Sequence, residues 1–164
     1  MTQLPALTDF PLRPYTDRCV RERAGSNVSP GAVWSSTLLL TVTPNAALDK
    51  LYILEQFAIG RVHRPTDVRV FAGGKGINVA RAARTLGADA LATGFLGGHV
   101  GEELAERLAR EGIPEAFQRV AGETRLCLAV IDTAARTQTE VNEFGPFVSE
   151  EEQRAFRLKF TGLL

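Results

Sequence analysis

The sequence predicts an α/β fold in which strands and helices alternate to build a parallel sheet. Apolar, β-prone runs at Leu38–Val42 and Ala90–Leu96 alternate with segments of helical periodicity at Ile77–Leu86 and Gly101–Arg110. This order is typical of strand–helix–strand units. The composition agrees, because 45% of the residues are hydrophobic and 23% are charged, as in globular domains.

The first strand is expected at Leu38–Val42, which is short, apolar and rich in residues that favour β structure. It ends at a Thr-Pro-Asn turn, and we expect the following loop to carry Asp49. Open α/β sheets bind ligands at the carboxyl ends of their strands, so Asp49 is expected on the ligand side. Farther on, Leu51–Phe71 mixes β-branched and aromatic residues with glycine and proline breaks, which predicts two or three short strands.

The first helix is predicted over Ile77–Leu86, with Gly87 as its C-terminal stop. Its apolar residues recur at helical spacing and are Ile77, Ala80, Ala83 and Leu86. A strand at Ala90–Leu96 follows, and then a second helix, Gly101–Arg110, with Leu104 and Leu108 on one face. These elements form the predicted β-α-β unit.

The last third of the chain predicts a hairpin and a helix. Leu126–Ile131 and Thr139–Val141 are expected to pair as the two hairpin strands. Ser149 followed by three glutamates is a capping box that opens a helix running to about Lys159. We expect the apolar side of this helix, with Phe156 and Phe160, to be exposed.

A glycine cluster runs directly into the first predicted helix. Gly73, Gly74 and Gly76 remove side chains where the backbone must approach a ligand, and the helix points its free N–H groups at this loop. Lys75 adds a cation, and Asn78 lies on the first turn. The pattern predicts a site for a polar, phosphorylated small molecule. The alternative is a glycine-rich turn in which Lys75 and Asn78 are solvated.

Spacing excludes two well-known phosphate loops. A Walker loop requires Ser or Thr after Gly-Lys, but Gly76 follows Lys75. A dinucleotide fingerprint would require a third glycine where this chain has Val79. The glycine cluster therefore belongs to a different kind of ligand-binding loop.

The stretch GGKGINVARAARTLGA, with Gly97 further on, resembles the first signature of the PfkB (ribokinase-like) sugar kinases. Four more segments match that family in its order: TVTPNAALDKLYIL near Leu40, GFLGGHVGEEL from Gly94, GETRLCLAVID from Gly122 and TEVNEFGP from Thr139. Together they resemble the branch that contains 1-phosphofructokinase and tagatose-6-phosphate kinase. The resemblance spans Leu38 to about Leu164. It implies a ribokinase-like parallel sheet with a small β lid.

The resemblance implies substrate-binding roles for six residues, which are Asp49, Gly73, Gly74, Lys75, Asn78 and Arg125. In the family, the matching aspartate and asparagine contact the sugar, and the matching arginine reaches the phosphate already on it. The resemblance implies Lys75 as a second phosphate contact. The alternatives stay open: an Asx turn for Asp49, a helix N-cap or first-turn position for Asn78, and a solvated strand end for Arg125. Asn142 and Glu143 fall in a motif of the branch, but the sequence assigns them no chemical role.

The sequence stops before the Gly-Ala-Gly-Asp type of loop that supplies the catalytic base and anion hole of the family. The resemblance therefore implies a fold truncated at its C-terminal side, with no catalytic residue in this chain. ATP and Mg²⁺ are the implied cofactors, and their pocket is expected to be mostly absent. The expected activity is ATP-dependent phosphorylation of a ketohexose phosphate, with this chain carrying the sugar-binding half. The alternatives are a non-catalytic sugar-phosphate-binding or lid-dimerising fragment and the product of a decayed kinase gene.

The charge balance favours a small-molecule partner. With 19 basic and 19 acidic side chains, the chain has no net field that would attract nucleic acid or a membrane. Neither Cys19 nor Cys127 has a metal-ligand spacing, so we expect no metal site held by protein ligands and reduced thiols in a cytoplasmic protein. A homodimer through the lid strands is the other expected partner.

The domain organisation follows from a change in composition near residue 36. Residues 1–36 are proline-rich and lack sustained periodicity, so we expect a disordered N-terminal extension. Residues 37–164 are expected to form the N-terminal part of the kinase domain, including its lid strands.

Overall fold

The structure is a computed structural model, and it describes residues 38–164. The expected N-terminal extension at residues 1–36 and the prediction for Cys19 lie outside the described residues. In chain order the elements are β1 (Leu39–Thr43), β2 (Ala47–Leu54), β3 (Asp67–Gly73), α1 (Lys75–Thr85), β4 (Ala90–Gly97), α2 (Gly98–Arg110), β5 (Gln118–Val120), β6 (Arg125–Asp132), β7 (Thr137–Asn142) and α3 (Glu150–Leu163).

The strands form two sheets. In the first, which we call the parallel sheet, β4 lies between β1 and β5 and pairs with both in parallel. In the second, which we call the lid sheet, the order is β3-β2-β6-β7. Its central pair, β2 and β6, is parallel, and its two outer pairs are antiparallel. The predicted fold class, α/β with a parallel sheet and a small β lid, is confirmed.

The core lies between the sheets and the first two helices. α1 buries Ile77 and Ala80, and α2 buries Leu104 and Leu108, as their helical spacing predicts. They pack in one cluster with buried residues of both sheets, such as Leu48 and Leu96. Leu86 was expected on the buried face of the first helix, and this prediction is wrong. It lies past the last helical residue, as the C-cap, and is 84% exposed.

The region after β1 differs from the prediction. β2 starts at Ala47, so Asp49 lies within a strand and not in a loop. Strand pairing explains the difference, because β2 is hydrogen-bonded on one side to β3 and on the other to β6. The predicted short strands in Leu51–Phe71 are the end of β2 and most of β3.

The last third of the chain follows its prediction closely. β6 and β7 form the predicted antiparallel hairpin, and β7 leads to the capping box. In that box the backbone N–H of Glu152 donates to the Ser149 hydroxyl, and the Glu152 carboxylate accepts from the Ser149 backbone. β5 was not predicted, because its three residues are too few to show a period.

The exposed apolar face expected on α3 is wrong for its two phenylalanines. Phe156 contacts Phe95 of β4 in a tilted arrangement with 4.7 Å between ring centroids, and the ring centroid of Phe160 lies 6.0 Å from that of Phe156. Both phenylalanines are half-buried, because α3 packs over the edge of the parallel sheet at β5. Within residues 38–164, no helix has the length and apolar character that a bilayer crossing requires.

Candidate functional site

A cavity of about 520 Å³ opens where the two sheets meet the start of α1. β1 supplies its carboxyl end, β2 and β6 supply their first residues, and α1 supplies its N-terminus. Five of the six predicted site residues line it, which are Asp49, Gly74, Lys75, Asn78 and Arg125. The sixth, Gly73, lies directly behind the Asp49 carboxylate. The structure thus brings together residues that are up to 76 positions apart (49 to 125) in the sequence.

The N-terminus of α1 gives one wall of the cavity a positive potential. Gly74 is the N-cap residue and has φ 121°, a conformation that residues with a Cβ rarely adopt. No side chain caps the helix and no acidic residue lies in its first turn, so its first N–H groups are left unpaired by the helix itself. Lys75, the first residue of the helix, is exposed beside them. This wall is suited to an anion or to polar oxygens.

Gly73 allows the Asp49 carboxylate to reach the cavity. A Cβ atom placed on Gly73 would overlap both carboxylate oxygens of Asp49. Gly73 is the last residue of β3 and lies opposite Ala47 in the register of the lid sheet. Its role is to leave room for Asp49, which the sequence alone did not indicate.

Arg125 is the first residue of β6 and shares a sheet face with Asp49, because Arg125 lies opposite Ala47 and Cys127 lies opposite Asp49. Its Nε atom is buried without a hydrogen-bond partner. Its Nη1 atom donates to the Glu143 carbonyl oxygen over 3.4 Å, near the limit for such a bond. Arg125 is therefore half-buried and not fully solvated at the start of its strand. Its guanidinium has unused donors at the cavity wall.

The electrostatics of Asp49 reflect its half-buried position. Burial raises the pKa of its carboxyl above the usual range, and the positive charge of Arg125 and a hydrogen bond from the Cys127 thiol act in the opposite direction. Burial also raises the pKa of Cys127, which keeps that thiol protonated and able to donate. Because Asp49 lies in a strand, the Asx-turn alternative is wrong.

Asn78 lies in the first turn of α1, and its backbone N–H donates to the Gly74 carbonyl oxygen over 2.9 Å. The N-cap alternative is wrong, since Gly74 occupies that position, and the first-turn alternative is correct. The Asn78 side chain is exposed at the cavity and accepts a hydrogen bond from Arg81. Sequence reasoning missed Arg81, although its spacing of three residues from Asn78 places both on one helix face.

Glu143, to which the sequence assigned no role, supports the start of β6. Its carboxylate accepts a hydrogen bond from the Leu126 backbone N–H over 2.8 Å, and its own N–H donates to the Leu126 carbonyl oxygen. These bonds fix the backbone next to Arg125. Glu143 thus has a structural role beside the cavity.

A smaller cavity of about 230 Å³ continues from the site along the lid sheet. It shares Asp49 and Arg125 with the main cavity and adds Cys127 and three polar residues of β7, which are Gln138, Glu140 and Asn142. The polar face of the lid sheet thus extends the candidate site beyond the glycine loop.

The resemblance implies a Mg²⁺ ion in the complete family fold. Within residues 38–164, no three His, Cys, Asp or Glu side chains come close enough to hold a metal ion.

Comparison with known proteins identifies relatives of this arrangement. The profile of the pfkB family of carbohydrate kinases matches residues 45–161. A tagatose-6-phosphate kinase of Staphylococcus epidermidis is 38% identical over 120 residues, which are 73% of this chain and 38% of that protein. The chain thus spans about two fifths of the length of this curated relative.

Two solved structures have the same fold over this region. One is a crystal structure described as a possible 1-phosphofructokinase from Thermotoga maritima, with a TM-score of 0.71 and 37% identity over 76% of this chain and 40% of the other. The other is phosphofructokinase-2 from Escherichia coli in complex with fructose-6-phosphate, with a TM-score of 0.71 and 33% identity over 76% of this chain and 41% of the other.

Proposed function

The chain belongs to the pfkB family of carbohydrate kinases, and from this premise we propose that residues 38–164 bind the acceptor sugar of a kinase that phosphorylates a ketohexose phosphate with ATP. The observation that carries the proposal is the convergence of Asp49, Asn78 and Arg125 in one cavity. The relatives that match the chain are named as kinases of phosphorylated sugars or as phosphofructokinases.

The chemistry of the cavity suits such a ligand. The Asp49 carboxylate accepts hydrogen bonds only, so it can hold two sugar hydroxyls at once. The guanidinium of Arg125 is planar and can bind a phosphate through two N–H groups from the cavity wall. Lys75 and the N-terminus of α1 add positive potential where the helix meets the cavity. Gly73 and Gly74 carry no side chains that would block the approach of the ligand to the cavity.

Within this proposal the described residues act by positioning. Phosphoryl transfer depends mainly on alignment of the reacting groups and on neutralisation of charge. The cavity residues would hold the acceptor hydroxyl in place. ATP, Mg²⁺ and the base that accepts the hydroxyl proton would be held by residues outside those described, and no catalytic residue is assigned to this chain.

Complementation tests the proposal directly. We expect residues 1–164 alone to give no turnover of fructose 1-phosphate or tagatose 6-phosphate, and the chain mixed with the C-terminal part of the Staphylococcus epidermidis relative to release ADP with one of them. Coupled ADP release is measured for the mixture and for each part alone, in preparations free of host kinase. A soluble, assembled pair without activity that still binds phosphosugar would favour the alternative of a non-catalytic binding protein. An assembled pair that neither turns over nor binds phosphosugar would contradict the proposal and favour a decayed gene product.

Gly73→Ala is expected to weaken phosphosugar binding at least tenfold, because the added Cβ would occupy the space of the Asp49 carboxylate and displace it. Gly162→Ala is the matched control, since a Cβ at Gly162 meets no atom within 4 Å. Titration calorimetry with fructose 1-phosphate measures both variants. Equal dissociation constants for Gly73→Ala and the parent chain would show that Asp49 does not need this space.

The homodimer through the lid strands remains a proposal. β7 is exposed along its whole length, and β3 is exposed over most of its residues. Both are edge strands of the lid sheet, and such edges can pair with a second chain.

A further inference from the structure

Arg81 joins three elements around the candidate site. From the middle of α1 its Nη2 atom donates to the Ala72 carbonyl oxygen of β3 over 2.7 Å. Its Nε atom donates to Glu111, just after α2, over 2.6 Å. Its Nη1 atom donates to the Oδ1 atom of Asn78 over 2.6 Å. The guanidinium is therefore held from two other elements while it contacts a cavity residue.

These contacts determine the orientation of the Asn78 amide. A guanidinium carries donors only, so the Asn78 atom that faces Arg81 must be the amide oxygen. The NH₂ group of Asn78 is consequently turned away from Arg81. Asn78 lines the cavity, so the group left for a ligand is a donor.

We propose that Arg81 is a positioning residue that fixes Asn78 as a hydrogen-bond donor toward the ligand. The inference rests on the proposed function and sharpens its ligand chemistry. Asp49 accepts and Asn78 donates, so the cavity selects a ligand that presents a hydroxyl hydrogen at one place and an oxygen lone pair at the other. A sugar hydroxyl, a keto oxygen or a phosphate oxygen meets the second requirement, whereas an ammonium group does not.

Arg81→Lys separates geometry from charge. Lysine keeps the positive charge, but its ammonium group lacks the planar set of donors with which Arg81 binds Ala72, Glu111 and Asn78. We expect fructose 1-phosphate to bind Arg81→Lys roughly tenfold more weakly than the parent chain, measured by titration calorimetry.

Arg107→Lys is the matched control for a purely structural effect. Arg107 of α2 also binds the backbone of β3, with 2.8 Å from Nη1 to the Val70 carbonyl oxygen, and it also pairs with a glutamate, Glu103. It does not contact Asn78 and does not line the cavity. We expect Arg107→Lys to change thermal stability about as much as Arg81→Lys and to leave the dissociation constant unchanged. Equal weakening of binding by both variants would overturn the proposal.

A double-mutant cycle tests whether Arg81 acts through Asn78. We expect Arg81→Lys to weaken binding in the parent chain and to have no further effect in an Asn78→Ala background. The same fold-change in both backgrounds would overturn the proposal.

The side-chain amide signals of Asn78 in the ligand-free chain distinguish failure of this inference from failure of the proposed function. In the parent chain and in Arg107→Lys, we expect the two NH₂ protons of Asn78 to have chemical shifts that differ from those of a free amide. In Arg81→Lys, we expect these chemical shifts to move toward the free-amide values. Unchanged signals in Arg81→Lys would show that Arg81 does not hold the amide. Absence of phosphosugar binding to the parent chain would contradict the proposed function, and the amide signals would still decide the role of Arg81.

Discussion

Arg125→Ala is expected to remove most of the preference of this chain for phosphorylated over unphosphorylated ketohexose. The lost charge-assisted hydrogen bonds correspond to about 1.5 to 3 kcal/mol, or roughly a tenfold to hundredfold weaker binding of the phosphosugar. The guanidinium at the cavity wall is the physical basis, because Arg125 lines the cavity and its Nη1 bond to the Glu143 carbonyl oxygen is long, at 3.4 Å. Titration calorimetry with fructose 1-phosphate and fructose gives the ratio of dissociation constants before and after the substitution.

Arg69→Ala provides the control for Arg125→Ala. Arg69 also lies in a strand of the lid sheet, but it pairs with Asp67 at an exposed edge and does not line the cavity. We expect Arg69→Ala to leave the ratio of the dissociation constants for fructose and fructose 1-phosphate unchanged, since exposed ion pairs contribute little to stability. A phosphosugar affinity that survives Arg125→Ala would return Arg125 to a structural role and make Lys75 with the α1 terminus the phosphate contact.

Asp49→Asn is expected to weaken sugar binding about a hundredfold while it stabilises the ligand-free chain. Binding falls because an amide replaces a charged acceptor of two hydroxyl hydrogens. Stability rises because the folded-state pKa of Asp49 is raised by burial, so the ionised carboxylate disfavours the folded state at neutral pH. The two opposite changes distinguish a binding residue from a residue required for folding.

The pH dependence of this effect has a definite sign. The pKa of Asp49 is higher in the folded than in the unfolded chain, so its unfavourable contribution to stability is absent below the ordinary value of 3.8 and complete above the folded-state pKa. We therefore expect Asp49→Asn to raise the melting temperature at neutral pH and to have little effect below pH 3.8. Thermal unfolding measured across this range is the test. A lower melting temperature for Asp49→Asn at neutral pH would show that the hydrogen bond from Cys127 and the attraction of Arg125 outweigh burial.

Local signals in the sequence were sufficient to predict the helices and the hairpin. The start of α1 at the glycine cluster depends on backbone conformation at Gly74, and the start of α3 depends on the reciprocal bonds of Ser149 and Glu152. Both effects act within a few residues, so a pattern of residue types indicates them. The buried faces of α1 and α2 follow from helical periodicity in the same way, except at Leu86, where the helix has already ended.

Elements that depend on distant partners were misplaced or missed. Asp49 was expected in a loop because β2 becomes a strand only through its pairing with β3 and β6, which lie up to 78 positions away in the register (54 to 132). β5 is too short to be recognised without β4 beside it. The contact of Phe156 with Phe95 was missed because Phe95 lies in another element.

The sequence by itself determined the fold class, the family and the identity of the candidate site residues, because these depend on residue types in a fixed order. Only the tertiary structure decided how those residues are arranged. It brought β1, β2, β6 and α1 to one cavity, left the Arg125 Nε atom without a partner and placed the Arg81 guanidinium against the amide oxygen of Asn78. Hydrogen-bond direction and burial are properties of atoms that meet across elements, so spacing along one chain could not reveal them.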